Sequence, residues 1–265
     1  MSSNQVFAGT EDYYARYRPD YPAALYEAIG AHFELDGRGE LLDLGTGTGH
    51  VALALCDQFE AVDAVDMNQA MLAYARQDAT DRGVATIRWH ESSAEAFDCE
   101  PGRYRLVTIG NAIHWMDADL VLGRCHRSVV EGGGIALLDM PGLWNPDMVL
   151  GEERWIGALS EVVRGHLGER RRAGSGYYER AERSHEELLR DSPFQEITTG
   201  RVAATISWTL DEVVGYLYST SFANRSILGE RVEAFEAELR STLLALEPTG
   251  RFARTLNAAW VFARR

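Results

Sequence analysis

The residues best placed to do chemistry are three glycines, Gly45, Gly47 and Gly49, which directly follow the apolar run LLDL. Glycines at a strand-to-helix turn let a ligand lie against the main chain, because a Cβ would block its approach. A dinucleotide-binding turn has the pattern G-x-G-x-x-G, and its third glycine would fall at His50. A phosphate-binding loop needs a lysine after its glycines, and the chain contains no lysine. The turn therefore favours a ligand with an amino-acid part and a nucleoside but no pyrophosphate.

An acidic residue completes the pattern of the glycine turn. Asp66 ends a second apolar run, FEAVDAVD, 21 residues after Gly45. An acid at the end of the second strand can accept hydrogen bonds from both ribose hydroxyls of a bound nucleoside. The alternative is that Asp66 only caps the helix that begins in NQAML. Its spacing from the glycine turn favours the nucleoside contact.

Alternating strands and helices must hold these residues in place. Between Leu41 and Asp139 the predicted strands are ELLDLG, FEAVDAVD, VATIRWH, YRLVTIG and GGIALLDM. The helices predicted between them are VALALCDQ, NQAMLAYARQDATDRG and ADLVLGRCHRSVVEGG. This alternation is typical of a parallel sheet with helices on both faces, so the predicted fold class is α/β.

The second half of the chain has a different pattern. It predicts an amphipathic helix from Glu152 to Leu167, strands over FQEITTGRVAATISW and RTLNAAWVFARR, and helices over TLDEVVGYLYSTS and LGERVEAFEAELRSTLLAL. We therefore expect residues 1–140 to form an N-terminal cover helix and a ligand-binding core, and residues 141–193 a helical cap insertion. Residues 194–265 would complete the sheet and add further cap helices. The three parts are predicted to form one structural domain.

The composition excludes several classes of protein. Acidic residues number 40 against 26 basic ones, and the net charge of -14 argues against a nucleic-acid partner. No apolar run approaches the ~20 residues that cross a bilayer, and the first residues lack a secretory signal, so we expect no membrane contact and a cytoplasmic location. The three cysteines are widely separated, which predicts neither disulfides nor a metal site.

Residues 1–140 resemble the class I S-adenosylmethionine-dependent methyltransferases, with the motifs in the same order. LLDLGTGTGHVALAL is similar to their first motif, AVDMNQAML to the second and HESSAEAFD to the loop that holds the adenine. YRLVTIGNAIHWMD is similar to their fourth strand and active-site edge. The resemblance implies a methyltransferase enzyme that uses S-adenosyl-L-methionine. It also implies a Rossmann-like sheet of seven strands, mostly parallel, with one antiparallel strand near the edge.

The resemblance implies which residues contact each part of the cofactor. The glycine turn would lie beside the methionine part, Asp66 would take the ribose hydroxyls, and Met67 would flank the adenine. Ser93 stands where the adenine loop often carries aspartate, so a hydroxyl replaces a carboxylate there. The residues expected at the cofactor from these segments are Gly45, Thr46, Gly47, Gly49, Asp66, Met67, Ser93, Ala94, Glu95 and Asn111.

The N-terminal stretch YARYRPDYPAALYEAI and the pair His114 and Trp115 are similar to a subgroup, the small-molecule enzymes related to trans-aconitate methyltransferase. In that subgroup an N-terminal helix covers the cofactor. Tyr14 and Arg18 would then approach the methionine carboxylate, to which a guanidinium can donate two parallel hydrogen bonds. The alternative is that RPDYP only forms a proline turn ahead of a helix.

His114 is the candidate catalytic residue. A sulfonium methyl group is already activated, so the enzyme mainly has to place the acceptor in line with it and exclude water. A proton acceptor such as His114 is needed where the methyl acceptor is an ammonium or an alcohol, whereas a carboxylate needs none. Alternatively, a single histidine after a strand is a packed or capping residue.

The late insertions are expected to form a cap over the substrate. Trp115, Trp144 and Tyr218 are candidate substrate contacts, although aromatic residues at helical spacing more often belong to a core. We expect a small polar metabolite methylated on an amine or hydroxyl, with a role in secondary metabolism such as antibiotic biosynthesis. The alternatives are carboxylate O-methylation of a small polyacid such as trans-aconitate, and a partner protein that binds the cofactor without catalysis. The expected oligomeric state is a monomer or a homodimer.

Overall fold

The computed structural model describes residues 9–143, 153–169, 172–173, 176–177 and 183–265. Among the predicted site residues, Trp144 lies outside the described residues. Two compact units are formed. The sheet unit takes in the described parts of residues 20–140, 181–202 and 257–265, and the helical unit those of residues 1–19, 141–180 and 203–256. The predicted three-part division of a single domain stays a prediction.

A seven-stranded mixed sheet organises the fold. Its strands are β1 (Glu40–Leu44), β2 (Ala61–Asp66), β3 (Ile87–Glu91), β4 (Tyr104–Gly110), β5 (Val129–Asp139), β8 (Gln195–Thr209) and β9 (Arg251–Arg264). A separate ladder joins β6 (Arg172–Ala173) to β7 (Gly176–Tyr177). The strand order is β3-β2-β1-β4-β5-β9-β8, in which β1 to β5 pair in parallel and β9 runs antiparallel to β5. The predicted Rossmann-like α/β fold is confirmed.

Helices connect the strands along the described part of the chain. The α-helices are α1 (Glu11–Tyr17), α2 (Ala23–His32), α3 (His50–Leu55), α4 (Gln69–Asp81), α5 (Ala118–Ser128), α6 (Arg154–Leu167), α7 (His185–Arg190), α8 (Leu210–Tyr218), α9 (Arg225–Leu228) and α10 (Val232–Leu246). Short 3₁₀ turns occur at Cys56–Gln58, Ile113–Trp115 and Gly229–Arg231.

The central strands of the sheet unit are apolar because both of their faces are covered. Residues 41–44 of β1 and residues 62–65 of β2 are all buried. A parallel sheet with helices on both faces produces such continuous apolar runs, which is why the sequence pattern located β1 and β2 correctly. The pairing of Asp43 with Thr108 places the ends of β1 and β4 side by side, so the glycine turn after β1 lies at this shared carboxyl edge. Strand order reverses between β1 and β4, which makes this edge the usual place for a ligand.

The predicted helix over ADLVLGRCHRSVVEGG is too long. Helix α5 ends at Ser128, and β5 begins with Val129, which pairs with Tyr104 of β4. The two β-branched residues Val129 and Val130 favour the strand, and Gly132, with a φ of +78°, is incompatible with a continuing helix. Apolar spacing alone did not distinguish a helix end from a strand start here.

The helical unit has an aromatic and aliphatic core of its own. The ring of Trp155 on α6 lies 5.3 Å from that of Phe252, and both are buried. Helix α1 packs so closely on α8 that a Cβ added to Gly215 would come within 2.4 Å of the Tyr17 ring. Trp208, Tyr216 and Tyr218 are also buried. The expectation that most late aromatic residues form a core agrees with these positions.

Candidate active site

The glycine turn is a sharp left-handed bend held by the neighbouring strand. Gly45, Gly47 and Gly49 have φ values of +69°, +56° and +85°. The amides of Gly45 and Thr46 both donate to the carbonyl of Val65 on β2, at 2.9 and 3.0 Å. Backbone with positive φ strongly favours glycine, since a Cβ would clash with the following carbonyl oxygen. The turn is thus rigid and pinned to the sheet.

The glycines of the turn differ in what surrounds them. A Cβ on Gly45 would come within 2.5 Å of the Ala112 Cβ, and one on Gly49 would meet the Trp89 ring at 3.0 Å. These two positions are bare because the protein itself packs against them. A Cβ on Gly47 would have nothing within 4 Å among the described residues. Gly47 is therefore the position of the turn at which a ligand could approach the backbone.

Asp66 is hydrogen-bonded to this part of the turn. Its carboxylate accepts a hydrogen bond from the Gly47 amide and another from the Asn68 amide, each of 2.8 Å. Burial raises the pKa of Asp66, although hydrogen bonds from these amides act in the opposite direction. The N-cap of α4 is Asn68, whose side chain accepts from the amides of Ala70 and Met71. Asp66 is thus joined to the glycine turn, and helix capping does not explain its presence.

Three buried polar atoms beside the turn have no hydrogen bond of good geometry among the described residues. They are Asp43 Oδ2, Thr46 Oγ1 and Thr48 Oγ1. The Thr46 hydroxyl and the Ala52 amide do lie close enough to Asp43 to lower its pKa. The other carboxylate oxygen of Asp43 accepts from the Thr108 hydroxyl at 2.7 Å, and burial raises the pKa of Asp43 to about 6. Buried polar atoms are nearly always paired in folded proteins, so these atoms are places where a polar ligand or an ordered water can bind. An acid and two hydroxyls fit the ammonium, carboxylate and hydroxyl groups of S-adenosylmethionine.

The predicted adenine side continues from the end of β3. The Ser92 amide donates to the Asp66 carbonyl at 3.0 Å, which brings this loop next to the end of β2. Ser93 turns the chain, because its hydroxyl accepts from the Ala96 amide at 3.2 Å, and Ala94 is buried. Met67 is half-buried at the end of β2. The structure therefore brings Asp66, Met67, Ser93 and Ala94 together.

Glu95 has a structural contact of its own. Its carboxylate accepts from the amide of Asp117 at 3.0 Å, which links the loop after β3 to the start of α5. Burial raises the pKa of Glu95, but this hydrogen bond and others outweigh it, and the net shift is downward. Glu95 is thus anionic at neutral pH and links two segments of the site.

The edge after β4 carries the candidate catalytic residue. Asn111 adopts a φ of +50°, and its side-chain amide both donates to and accepts from the backbone of Met140, at 3.0 and 2.9 Å. His114 is exposed in the following 3₁₀ turn, with its ring 4.9 Å from that of half-buried Trp115. An exposed imidazole at the carboxyl edge can exchange protons with a substrate, whereas a packed one could not.

The remaining predicted residues belong to the helical unit. The Arg18 guanidinium lies between the rings of Tyr14 and Tyr216, 4.9 and 4.7 Å from their centroids, and donates to the Ser219 hydroxyl at 2.8 Å. Tyr218 is buried, and its hydroxyl donates to Glu236 at 2.8 Å. Arg18 is held rigidly, and Tyr218 has a packing role within this unit.

Some residues of the site were not predicted. Thr48 lies inside the glycine pattern, and its small polar side chain beside three glycines was an available signal. Thr108 supports Asp43 from a strand 65 positions away in sequence, and no local pattern reveals that pairing. No helix in the described part of the chain is long and apolar enough to cross a membrane, and the described residues contain no cluster of metal ligands.

The strand order and the glycine turn agree with what the resemblance to the class I S-adenosylmethionine-dependent methyltransferases implies. Residues 41–133 match the family described as "Methyltransferase domain". This match supports the predicted enzyme class and the predicted cofactor. The predicted relation to trans-aconitate methyltransferase is not part of this result.

Several proteins are similar to the chain. The ubiquinone biosynthesis O-methyltransferase of Azotobacter vinelandii is 36% identical over 109 residues, which cover 40% of this chain and 46% of that protein. The chain therefore matches less than half the length of that relative. An uncharacterized methyltransferase of Schizosaccharomyces pombe is 25% identical over 228 residues, which cover 85% of this chain and 82% of that protein.

Two solved structures share the fold over most of the chain. A candidate type II methyltransferase from Anaeromyxobacter dehalogenans superposes with a TM-score of 0.64 at 24% identity, covering 93% of this chain and 96% of that one. The phosphoethanolamine N-methyltransferase 2 of Haemonchus contortus, solved with phosphomonomethylethanolamine and S-adenosylhomocysteine, gives 0.58 at 16% identity. It covers 100% of this chain and 60% of that one. At these identities the likeness establishes the fold alone.

Proposed function

We propose that the protein transfers a methyl group from S-adenosylmethionine to an amine or hydroxyl of a small polar metabolite. The observation that carries the proposal is the set of unpaired buried polar atoms around a glycine turn with one open position, Gly47, next to Asp66. A protein that merely kept the fold would have no reason to keep buried donors and acceptors without partners. This favours an enzyme over a partner protein without catalysis.

The residues of the sheet unit divide the work of such a reaction. When bound, S-adenosylmethionine supplies an activated methyl group. Asp43, Thr46 and Thr48 would hold the amino-acid part at the turn, and Asp66 the ribose. The loop with Met67, Ser93, Ala94 and Glu95 would border the adenine. Because these groups sit on strand ends, they can hold the reacting atom still, which is the main contribution that methyl transfer needs.

His114 is proposed as the proton acceptor. An amine or alcohol loses a proton when it is methylated, and the exposed imidazole of His114 can accept a proton from a group bound at this edge. Trp115, whose ring lies against His114, would contact the substrate, and Asn111 would keep this edge in place. The proposed contacts of Trp144 and Tyr218 with substrate, and of Tyr14 and Arg18 with the cofactor, rest on the family resemblance.

The alternative substrate is a small polyacid such as trans-aconitate, methylated on a carboxylate. The Azotobacter relative is an O-methyltransferase by name, and a hydroxyl acceptor agrees with that name. A role in secondary metabolism or antibiotic biosynthesis, a cytoplasmic location and a monomeric or homodimeric state remain part of the proposal. A small-molecule partner rather than nucleic acid is favoured by the net charge of -14.

Isothermal titration with S-adenosylmethionine tests the proposal first. Binding is expected, and its absence at ~1 mM, where even weak sites are measurable, would refute the enzyme. The second step is to incubate the protein with S-adenosylmethionine and three matched sets of small amines, alcohols and carboxylic acids. S-adenosylhomocysteine formation with amines or alcohols supports the proposal, and formation with carboxylic acids only would favour the polyacid alternative.

A further inference from the structure

A buried carboxylate in the middle of β2 accepts hydrogen bonds from side chains of β3 and β4. The Asp63 side chain is 2% exposed. It accepts two hydrogen bonds from the Arg88 guanidinium, at 2.7 and 2.8 Å, and one from the Tyr104 hydroxyl at 2.9 Å. The Nε2 atom of His90 lies 2.6 Å from the same carboxylate, and because a carboxylate can only accept, Nε2 is the donor. Hydrogen bonds to an ionised group are short and strong, so Asp63 fixes the orientation of the His90 ring.

The same imidazole packs against a ring in the loop that follows β3. The centroid of the Phe97 ring lies 4.9 Å from that of the His90 ring, with an angle of 54° between the two planes. On its other side, Phe97 packs against the buried core of the sheet unit. The carbonyl of Phe97 accepts a hydrogen bond from Arg124 of α5. Phe97 is therefore held by His90, by the core and by a neighbouring helix.

Phe97 is one of two attachments of a short turn, residues 92–97. Its amide donates to the Ser93 carbonyl at 3.0 Å. At the other end of the turn, the Ser92 amide donates to the Asp66 carbonyl at 3.0 Å. The residues between these attachments are the ones proposed to border the adenine. The position of the Phe97 ring therefore helps to set where those residues lie.

The Asp63 side chain is separate from the ribose-binding end of β2. Asp63 precedes Asp66 by three positions, and side chains an odd number of positions apart point to opposite faces of a strand. Three residues of a strand also span roughly 10 Å. Asp63 and His90 can therefore affect a bound cofactor only indirectly, and the contact between His90 and Phe97 provides the route.

We propose that His90, oriented by Asp63, is a positioning residue that holds the 92–97 turn through Phe97 and so sets the affinity for the base of the cofactor. The inference rests on the proposed function, in which this turn borders the adenine. Without the imidazole, the Phe97 ring and the turn gain freedom, and binding of the base has to order them again, which costs affinity. The amino-acid part and the ribose are bound by other residues, so their contribution should not change.

The test compares two ligands that differ only in the base. S-adenosylhomocysteine contains adenine, whereas S-ribosylhomocysteine keeps the homocysteine and the ribose and lacks the base. Isothermal titration measures the binding of each ligand to the full chain, and melting temperatures show that the variants are folded. His90→Ala should weaken the binding of S-adenosylhomocysteine about fivefold, the scale of one lost aromatic contact, and leave that of S-ribosylhomocysteine unchanged. His90→Gln, which keeps a donor for Asp63 and a planar group for Phe97, should restore most of the affinity.

The matched control is His126→Ala. The ring of His126 on α5 lies 5.1 Å from that of Phe194, so this variant removes a similar contact from the same unit and should leave both affinities unchanged. A double-mutant cycle tests the route from His90 to the turn. In a Phe97→Leu background, His90→Ala should have little further effect on S-adenosylhomocysteine binding, because residues that act through one contact are not additive.

Three results would overturn the proposal: an unchanged affinity for S-adenosylhomocysteine in His90→Ala, an equal loss for both ligands, and additive effects in the cycle. In each of these cases the wild-type protein binds S-adenosylhomocysteine, and the proposed function is unaffected. A wild-type protein that does not bind S-adenosylhomocysteine would instead refute the proposed function and this inference together.

Discussion

The role of Asp66 can be tested by removing its carboxylate. Asp66→Ala deletes the acceptor for the ribose hydroxyls and also the two hydrogen bonds, each of 2.8 Å, that join it to the amides of Gly47 and Asn68. Hydrogen bonds to a charged group contribute about 1.5–3 kcal/mol each, and binding exchanges some of these bonds for others. We therefore expect a net loss of about 2 kcal/mol in cofactor binding, or roughly 30-fold in Kd.

The assay is isothermal titration with S-adenosylhomocysteine, accompanied by thermal unfolding of the same samples. Asp78→Ala is the matched control, because Asp78 is an acid on α4 that pairs with Arg82 at the surface, away from the turn. Asp66→Asn, which keeps an acceptor oxygen without the charge, should fall between the wild type and Asp66→Ala. An unchanged Kd in a folded Asp66→Ala variant would show that the carboxylate only supports the turn, and would refute the ribose contact.

Three further predictions concern the edge of the sheet and its support. With an amine or alcohol acceptor, His114→Ala should lower turnover on the order of 10²-fold. Full activity of the variant at every pH excludes a base role. Gly47→Ala should fold, at a strain cost of about 1–2 kcal/mol, and should bind the cofactor less tightly. Gly45→Ala should be far less stable, because its Cβ would lie 2.5 Å from the Ala112 Cβ. Calorimetry measures the affinity and melting temperatures the stability, and equal stabilities of the two variants would contradict the steric argument. Tyr104→Phe removes a buried hydrogen bond of 2.9 Å to Asp63 and should lower the free energy of unfolding, measured by urea denaturation, by about 1–2 kcal/mol. An unchanged free energy of unfolding would show that this hydrogen bond does not stabilise the fold.

Asp63 also predicts how stability depends on pH. Burial raises its pKa, but hydrogen bonds from Arg88, His90 and Tyr104 outweigh burial and lower it to about 2. A carboxyl group whose pKa is lower in the folded state contributes stability above its unfolded pKa of ~3.9 and loses it as the pH falls towards 2. Acid unfolding should therefore begin in this interval, and Asp63→Asn should flatten that part of the stability curve measured by circular dichroism.

The sequence was informative where one element carries the whole signal. Gly45, Gly47 and Gly49 lie within five positions, and a turn with three positive φ values can be recognised from glycine spacing alone. The strands β1, β2 and β4 are apolar runs because both faces are buried, so their positions were predicted closely. Asp66 was identifiable because its distance from the turn reflects one βαβ unit.

The parts that were missed depend on contacts between distant segments. Thr108 and Asp43 are 65 positions apart, and only the pairing of β4 with β1 makes them neighbours. The end of α5 was misplaced because VVEGG continues an apolar spacing that fits either a helix or a strand. These residues form the start of β5 because Val129 pairs with Tyr104 of β4.

The contacts offered by the glycine turn have a consequence for the reaction cycle. In the proposed site, Asp43, Thr46, Thr48 and Asp66 would face groups that S-adenosylmethionine and S-adenosylhomocysteine have in common, namely the amino acid and the ribose. Their hydrogen bonds would be the same before and after the methyl group has left. Contacts of this kind bind both species equally and do not by themselves accelerate the chemical step. The spent cofactor should therefore compete with a fresh one at comparable affinity, and sustained turnover would depend on an outside reaction that removes S-adenosylhomocysteine.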